Sequence, residues 1–261
     1  IFFSGKRVPS YLIGLGMYVI ENLLPSIADS ISVSSNELLK IAEKKIKNKK
    51  YLIKVPVGAS HYSITQDSVE LIKKKYNLTG INQIYIGQLH GGQYAELLIR
   101  ACLKLKASGI QTKTLIVGDG YDKPRLENIV KELNLENEVI FTGAVLHEHI
   151  PAYLKACDIA IACFEKNNIT ASKSPLKIAE YISAGKAIIA HHIGEVSDMV
   201  NDAAILISPD DKDSLYNAIL SLHKEPQKIK ELENKACLRY KELTWDKSAE
   251  KINALFSNLS R

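Results

Sequence analysis

Lys177 and Glu180 are the residues from which chemistry can be read, because three positions apart on a helix they share a face. They follow Ser174, a good N-cap, and Pro175, whose missing N–H is harmless at the first helical position. Leu176, Ala179 and Ile182 recur at helical spacing, and Gly185 stands where a left-handed C-cap belongs. The run Lys186 to Ala190 then reads as a buried strand. A helix start exposes free N–H groups and the positive end of the dipole, which together suit an anion. Lys177 adds a full charge at that end, and Glu180 can accept hydrogen bonds from hydroxyls of the same ligand. Phosphate at one end and hydroxyls at the other suggest a sugar nucleotide. The plain alternative is a surface helix on which Lys177 and Glu180 form an exposed ion pair.

The elements that must position this helix alternate regularly from residue 81. Strands are expected at 83–88, 113–117, 138–141, 158–162 and 203–208, with amphipathic helices between them. Such alternation implies a doubly wound parallel sheet, Rossmann-like, with right-handed crossovers and helices on both faces. Its ligands bind at the carboxyl ends of the strands, where Gly87, Gly118, Gly143 and residues 163–175 fall. Val117-Gly-Asp-Gly120 hints at a dinucleotide fingerprint, but Lys123 stands where the third glycine belongs, so a nicotinamide enzyme is the weakest alternative. A helix is expected over Trp245 to Leu259, and residues 66–80 read as a linker helix.

The stretch from Ser172 to Ala190 resembles the donor-site helix of family-4 glycosyltransferases, the glycosyl transferases group 1 of the GT-B fold. Glu180 matches the second glutamate of that family's paired-glutamate motif, which holds ribose hydroxyls. Gly185 and Ile188-Ile189-Ala190 match the glycine and strand that follow it. Ser172 occupies the place of the first glutamate. Ser174-Pro175-Leu176-Lys177 and Glu180-Tyr181 resemble a Pro-x-Lys-x-x-Glu-Tyr variant of the motif. Ile86-Gly87-Gln88-Leu89 and Gln93 align with a glycine-arginine-leucine and a lysine whose two cations neutralise the donor diphosphate. Here both cations are glutamines, which donate hydrogen bonds without charge, and charge-assisted bonds are roughly twice as strong. Gly91 and Gly92 keep a tight loop available. Residues 117–164 resemble further family segments, which would bring the backbone near Gly143 to Val145 to the nucleobase.

Before residue 81 the chain offers one βαβ unit, Ala28–Ser35, a helix on Leu38, Leu39 and Ala42, and Tyr51–Pro56, too little for a closed core. The resemblance implies that 1–65 is the tail end of an N-terminal acceptor-side domain, incomplete here. Residues 66–80 would link it to the donor-binding domain, 81–242, and the 243–261 helix would pack back on the first domain. An upstream acceptor half is expected.

Net charge is +5, but residues 40–54 carry seven lysines against Glu43, a local +6, so the remainder carries −1. This basic patch is a candidate for peripheral contact with anionic lipid, at about 1 kcal/mol per lysine, or simply a solvated face. Nucleic acid is not an expected partner, because only Tyr51 interleaves with these lysines. The run Tyr11 to Ile20 is too short to span a bilayer, and no signal-peptide pattern follows it, so a cytoplasmic chain, peripheral at the inner membrane face, is expected. Cys102, Cys157, Cys163 and Cys237 show no disulfide or zinc spacing. The pairs His147/His149 and His191/His192 read as exposed loop histidines and not as a metal set. No cofactor is expected.

The resemblance therefore implies an enzyme, a retaining glycosyltransferase of hexosyltransferase type in surface polysaccharide or glycolipid assembly. It would move a sugar from a UDP-, GDP- or ADP-sugar to a glycan or lipid-linked acceptor. Lys177 and Glu180 would be catalytic, and Gly87, Gln88, Gln93, Gly118, Val145, Ser172, Ser174, Pro175 and Leu176 would bind the donor. The alternative is a non-catalytic nucleotide- or phosphosugar-binding module of the same fold. A hydrolase or epimerase of that fold is a third reading.

Overall fold

The computed structural model describes residues 2–3, 6–7, 10–46, 51–60, 64–90 and 93–259. Strands β1 (Phe2–Phe3) and β2 (Lys6–Arg7) pair antiparallel ahead of a long helix, α1 (Ser10–Ile27). Tyr11, Leu15, Tyr18, Leu23 and Ile27 of α1 are exposed, and Gly14 and Gly16 lie within the unbroken helix. Among the described residues, no helix is long and apolar enough to cross a membrane. Strand β3 (Ile31–Val33), helix α2 (Asn36–Glu43) and strand β4 (Leu52–Lys54) form a parallel pair with its crossover. Ser35 caps α2, accepting from the Leu38 N–H.

Lys54 leaves the basic patch and points inward. Its Nζ lies 2.6 Å from Glu195 Oε1 and 3.0 Å from Asp198 Oδ2. Burial lowers the pKa of Lys54, but the two carboxylates outweigh it and the net direction is up. The Asn36 N–H donates to the other Glu195 oxygen at 2.8 Å, so one buried carboxylate joins α2 and β4 to the rest of the chain. Lys40 pairs with Glu37, and Lys45 donates to the Glu21 carbonyl. Lys47, Lys49 and Lys50 lie outside the described residues.

Helix α3 (Gln66–Tyr76) precedes a six-stranded sheet: β5 (Gln83–Ile86), β6 (Thr114–Val117), β7 (Val139–Gly143), β8 (Ile159–Ala162), β9 (Ala187–His191) and β10 (Ala204–Ile207). The order is β10-β9-β8-β5-β6-β7, and every pairing is parallel. Strands β5, β6, β8 and β9 are buried throughout, which explains their nearly continuous apolar runs. The connecting helices are α4 (Gln93–Ala107), α5 (Lys123–Glu132), α6 (Ile150–Ala156), α7 (Asn168–Ala171), α8 (Leu176–Ser183), α9 (Val196–Val200) and α10 (Ser214–Lys224). The core lies in two layers, with α3, α6 and α8 covering one face and α4, α5 and α10 the other. Helices α11 (Gln227–Tyr240) and α12 (Trp245–Leu259) follow, α11 packing on α8. Ser248 of α12 donates to the Pro56 carbonyl, and Ala59 bridges to Thr244.

The chain runs outward from β5 through β6 to β7, then returns to the other side of β5 with β8, so the winding reverses between β5 and β8. These two strands pair only at Gln83–Ile159 and Ile84–Ala160. Beyond that point the Tyr181 hydroxyl of α8 enters the gap. It accepts from the Ile86 N–H at 3.0 Å and donates to the Ile161 carbonyl at 3.1 Å. A fully buried side chain thus replaces two ladder bonds and holds the strands apart.

Tyr181→Phe removes the hydroxyl and leaves a buried N–H and C=O unpaired. Urea denaturation is expected to show a loss of about 2 kcal/mol, at the level of one buried unsatisfied group or more. An unchanged midpoint would mean that the gap is held open by something else.

Candidate functional site

The crevice at this reversal lies beyond the carboxyl ends of β5 and β8, where ligands of open α/β sheets bind. Helix α8 starts at its mouth, one residue later than the spacing predicts. Pro175 is the N-cap, with φ −75° and ψ 119°, and not the first helical residue. Ser174 therefore caps nothing: its hydroxyl accepts from the Val57 N–H at 3.3 Å, drawn toward the segment after β4. The Ile178 N–H is returned to the Pro175 carbonyl, while the amides of Leu176 and Lys177 have no acceptor among the described residues. Gly185 sits beyond the helix end at φ +60°, the left-handed stop expected.

Lys177 does not pair with Glu180. Its half-buried stem crosses the end of the sheet, and its ammonium lies 4.1 Å from the centroid of the Tyr85 ring and 5.6 Å from that of Phe164. No carboxylate is within ion-pairing distance of it among the described residues. Burial pushes its pKa down to about 8. The aromatic faces attract the cation without neutralising it, which leaves a positive charge open toward the crevice.

Gly87 makes room for this lysine. A Cβ on Gly87 would lie 2.8 Å from Lys177 Nζ, and its φ of +153° is one that side-chain-bearing residues rarely adopt. Gly118, at φ +142°, is tighter still, since a Cβ there would meet the Gly87 carbonyl oxygen at 2.0 Å. The two glycines let the loops after β5 and β6 touch, and the Gly118 N–H reaches on to the Gly143 carbonyl.

Glu180 is only 8% exposed. Burial raises its pKa, while His147 and Lys177 pull in the opposite direction. His147 Nδ1 approaches its Oε1 at 3.7 Å from the 3-10 turn that leads into α6. Glu180, Lys177, Gly87 and Gly118 thus come together at one crevice, and Leu176, 48% exposed, stands at its mouth. Val145 packs half-buried against the core, and Gln88 is exposed with no hydrogen bond to the described residues. The Ser172 hydroxyl donates to the Asn168 carbonyl, and its own carbonyl accepts from the buried Ser35 hydroxyl at 2.8 Å. Gly91, Gly92 and the side chain of Gln93 lie outside the described residues.

Sequence reasoning missed Tyr85 and His147 as parts of the site, and it gave no role to Phe164, within the 163–175 segment, or to Tyr181, within the Pro-x-Lys-x-x-Glu-Tyr resemblance. His191 also departs from expectation: it is buried at the end of β9, with Nδ1 at 2.7 Å from the Phe164 carbonyl. Among the described residues, no group of His, Cys, Asp and Glu could hold a metal. Cys102, Cys157 and Cys163 are buried and Cys237 is exposed, all four as free thiols. Another cleft, about 940 Å³, lies between α4 and the segments after β8 and β10. Three of its cations are engaged, Arg100 with Glu96, Lys104 with Asp213 and Lys166 with Asp210. Its Lys212, unpaired among the described residues, is exposed, whereas Lys177 is a partly buried lysine without a carboxylate, at a helix start.

The family model for glycosyl transferases group 1 matches residues 68–239. The chain belongs to this family. It is 24% identical over 148 residues to the alpha-D-kanosaminyltransferase of Streptomyces kanamyceticus, covering 55% of this chain and 36% of that protein. It is also 24% identical over 196 residues to a Campylobacter jejuni enzyme, N-acetylgalactosamine-N,N'-diacetylbacillosaminyl-diphospho-undecaprenol 4-alpha-N-acetylgalactosaminyltransferase. That match covers 69% of this chain and 51% of the enzyme. The chain thus spans about half or less of these relatives. Among solved structures, sucrose-phosphate synthase from Thermosynechococcus elongatus superposes with a TM-score of 0.72 at 20% identity, over 99% of this chain and 64% of that one. Anabaena HepE, solved with UDP and glucose, superposes with a TM-score of 0.75 at 16% identity, over 96% and 68%. These structural neighbours are GT-B glycosyltransferases, and the fold of this group 1 chain is theirs.

Lys177 makes this site unfavourable for stability. Its folded value of about 8 lies below the ordinary 10.5, so the unfolded chain binds more protons between those pH values. Stability therefore rises with pH through that window, and the penalty is fully present below it. Lys177→Met keeps the stem and removes the charge. It is expected to stabilise the chain at pH 7 by about 1–3 kcal/mol after the lost cation–π contact is offset. The gain should vanish toward pH 10.5 in a thermal-denaturation series. Destabilisation at pH 7 would contradict an uncompensated charge.

Proposed function

We propose that this chain is the donor-binding half of a glycosyltransferase that uses a nucleotide-diphosphate sugar. The observation that carries the proposal is Lys177, a cation without an anionic partner among the described residues, at the start of α8 in the sheet's reversal crevice. In this assignment the Lys177 ammonium and the Leu176 and Lys177 amides hold the diphosphate, and Glu180 accepts from the ribose. The backbone near Gly143 to Val145 meets the base, Gly87 leaves room for the Lys177 ammonium at the phosphates, and Gly118 lets the loops after β5 and β6 close round them. Catalysis is then positioning together with stabilisation of the departing diphosphate. A retaining outcome, a hexosyl donor and independence from metal and cofactor belong to the same proposal. Gln88 and Gln93 contribute neutral donors, and the 172–174 loop faces the sugar.

The acceptor we propose is a glycan or a lipid-linked glycan in surface polysaccharide or glycolipid assembly. One relative, by its name, acts on a diphospho-undecaprenol-linked saccharide. Residues 1–65 would end an acceptor-side domain, with 66–80 as linker, 81–242 as donor domain and 243–261 returning to the first. The Ser248–Pro56 bond and the packing of Gly58 on Trp245 support that return. Peripheral contact with the cytoplasmic membrane face through the lysines of 40–54 is also proposed, supported by the exposed Lys40 and Lys44 and without Lys54.

A second reading, a binding module that does not transfer, is favoured by the exposed, neutral Gln88, which brings no charge to a diphosphate. Turnover of a bound sugar nucleotide, lost in Glu180→Ala, would exclude it.

The test is a thermal-shift series with UDP, GDP, ADP and NAD on the wild type and Lys177→Ala. One nucleoside diphosphate at about 100 times its Kd should add about 2.7 kcal/mol, and the variant should lose most of it. No shift with any of them, in folded protein, would overturn the proposal.

A further inference from the structure

His147 stands where nothing in its sequence context points to a ligand. The 3-10 turn His147–His149 carries it over the start of α6, and α6 and α8 lie on the same face of the sheet. Its Nδ1 is 3.7 Å from Glu180 Oε1. That carboxylate is buried and accepts no hydrogen bond from the described residues. Its other charged neighbour is Lys177, which turns away onto Tyr85 and Phe164. Among the described residues that imidazole is the one cation-forming side chain within ion-pairing reach of the carboxylate, and it follows the half-buried Val145 by two positions.

We propose that His147 is a positioning residue for the nucleoside, holding Glu180 Oε1 so that Oε2 is presented to the ribose hydroxyls. This rests on the assignment of Glu180 to the ribose. An ordered carboxylate accepts two hydroxyl protons with a defined geometry, whereas a free one pays rotamer entropy on each binding event. The histidine acts through Glu180 and touches the ligand only indirectly. Its effect should therefore depend on the hydroxyls being present and on the glutamate being there to be aimed.

The test is calorimetric binding of UDP and 2′,3′-dideoxy-UDP, or of the corresponding pair for whichever base binds tightest, to the full chain. His147→Ala should weaken binding of the ribonucleotide roughly tenfold, about 1.4 kcal/mol, and leave the dideoxynucleotide nearly unchanged. His147→Asn, which can place an amide N–H near the Nδ1 position, should recover most of the loss. In a Glu180→Gln background the alanine substitution should add nothing. Equal weakening of both nucleotides, or full additivity with Glu180→Gln, would overturn the positioning role and leave the nucleotide site standing. A wild type that binds neither nucleotide would overturn the site assignment and this proposal with it.

Discussion

The Tyr181 hydroxyl is the contact on which the rest of the site depends. Neighbouring parallel strands ordinarily satisfy each other's backbone groups along their whole shared length. Between β5 and β8 that ladder stops after two residues, and one side-chain oxygen takes over as both acceptor and donor. The bonds tie α8 to both strands at the place where they part. Because Tyr181 comes from the same helix as Lys177 and Glu180, the residue that keeps the crevice open also fixes the two residues that face it.

What lies in that crevice is unfavourable for the fold. Lys177 has lost water, found two aromatic rings and gained no carboxylate, and Glu180 is a buried carboxylate with one histidine near it. Each would be better satisfied elsewhere, and an incoming anion with hydroxyls would complete both at once. Local destabilisation of this kind is characteristic of binding sites. The charges between α2, β4 and α9 are arranged otherwise: Lys54 meets two carboxylates, and the buried Glu195 receives both a lysine and a backbone N–H. The contrast makes Lys177 stand out.

Much of this was legible in the sequence, for reasons that differ by element. The buried strands declare themselves because a strand covered on both faces must be apolar throughout, and the helix Trp245–Leu259 falls where its spacing places it. Lys177 and Glu180 were legible because a helix start after Pro175 carries its own electrostatics. What stayed hidden was long-range. Tyr181 satisfies an N–H 95 positions earlier, and nothing local in Ile86 or Tyr181 says so. The capture of Ser174 by Val57, the inward turn of Lys54 and the burial of His191 are likewise decided by what packs against them. Helix α1 is a different case, since its apolar run signals burial while its side chains are exposed.

The central claim is that a nucleoside diphosphate occupies the crevice between the ends of β5 and β8. A crystal structure of the chain grown with the nucleotide that binds best tests it most directly. The account predicts diphosphate density within hydrogen-bonding distance of Lys177 Nζ and the first amides of α8, with ribose hydroxyls at the Glu180 carboxylate. Nucleotide bound instead in the cleft beside Arg100, Lys104 and Lys166, with the Lys177 crevice holding only solvent, would contradict it.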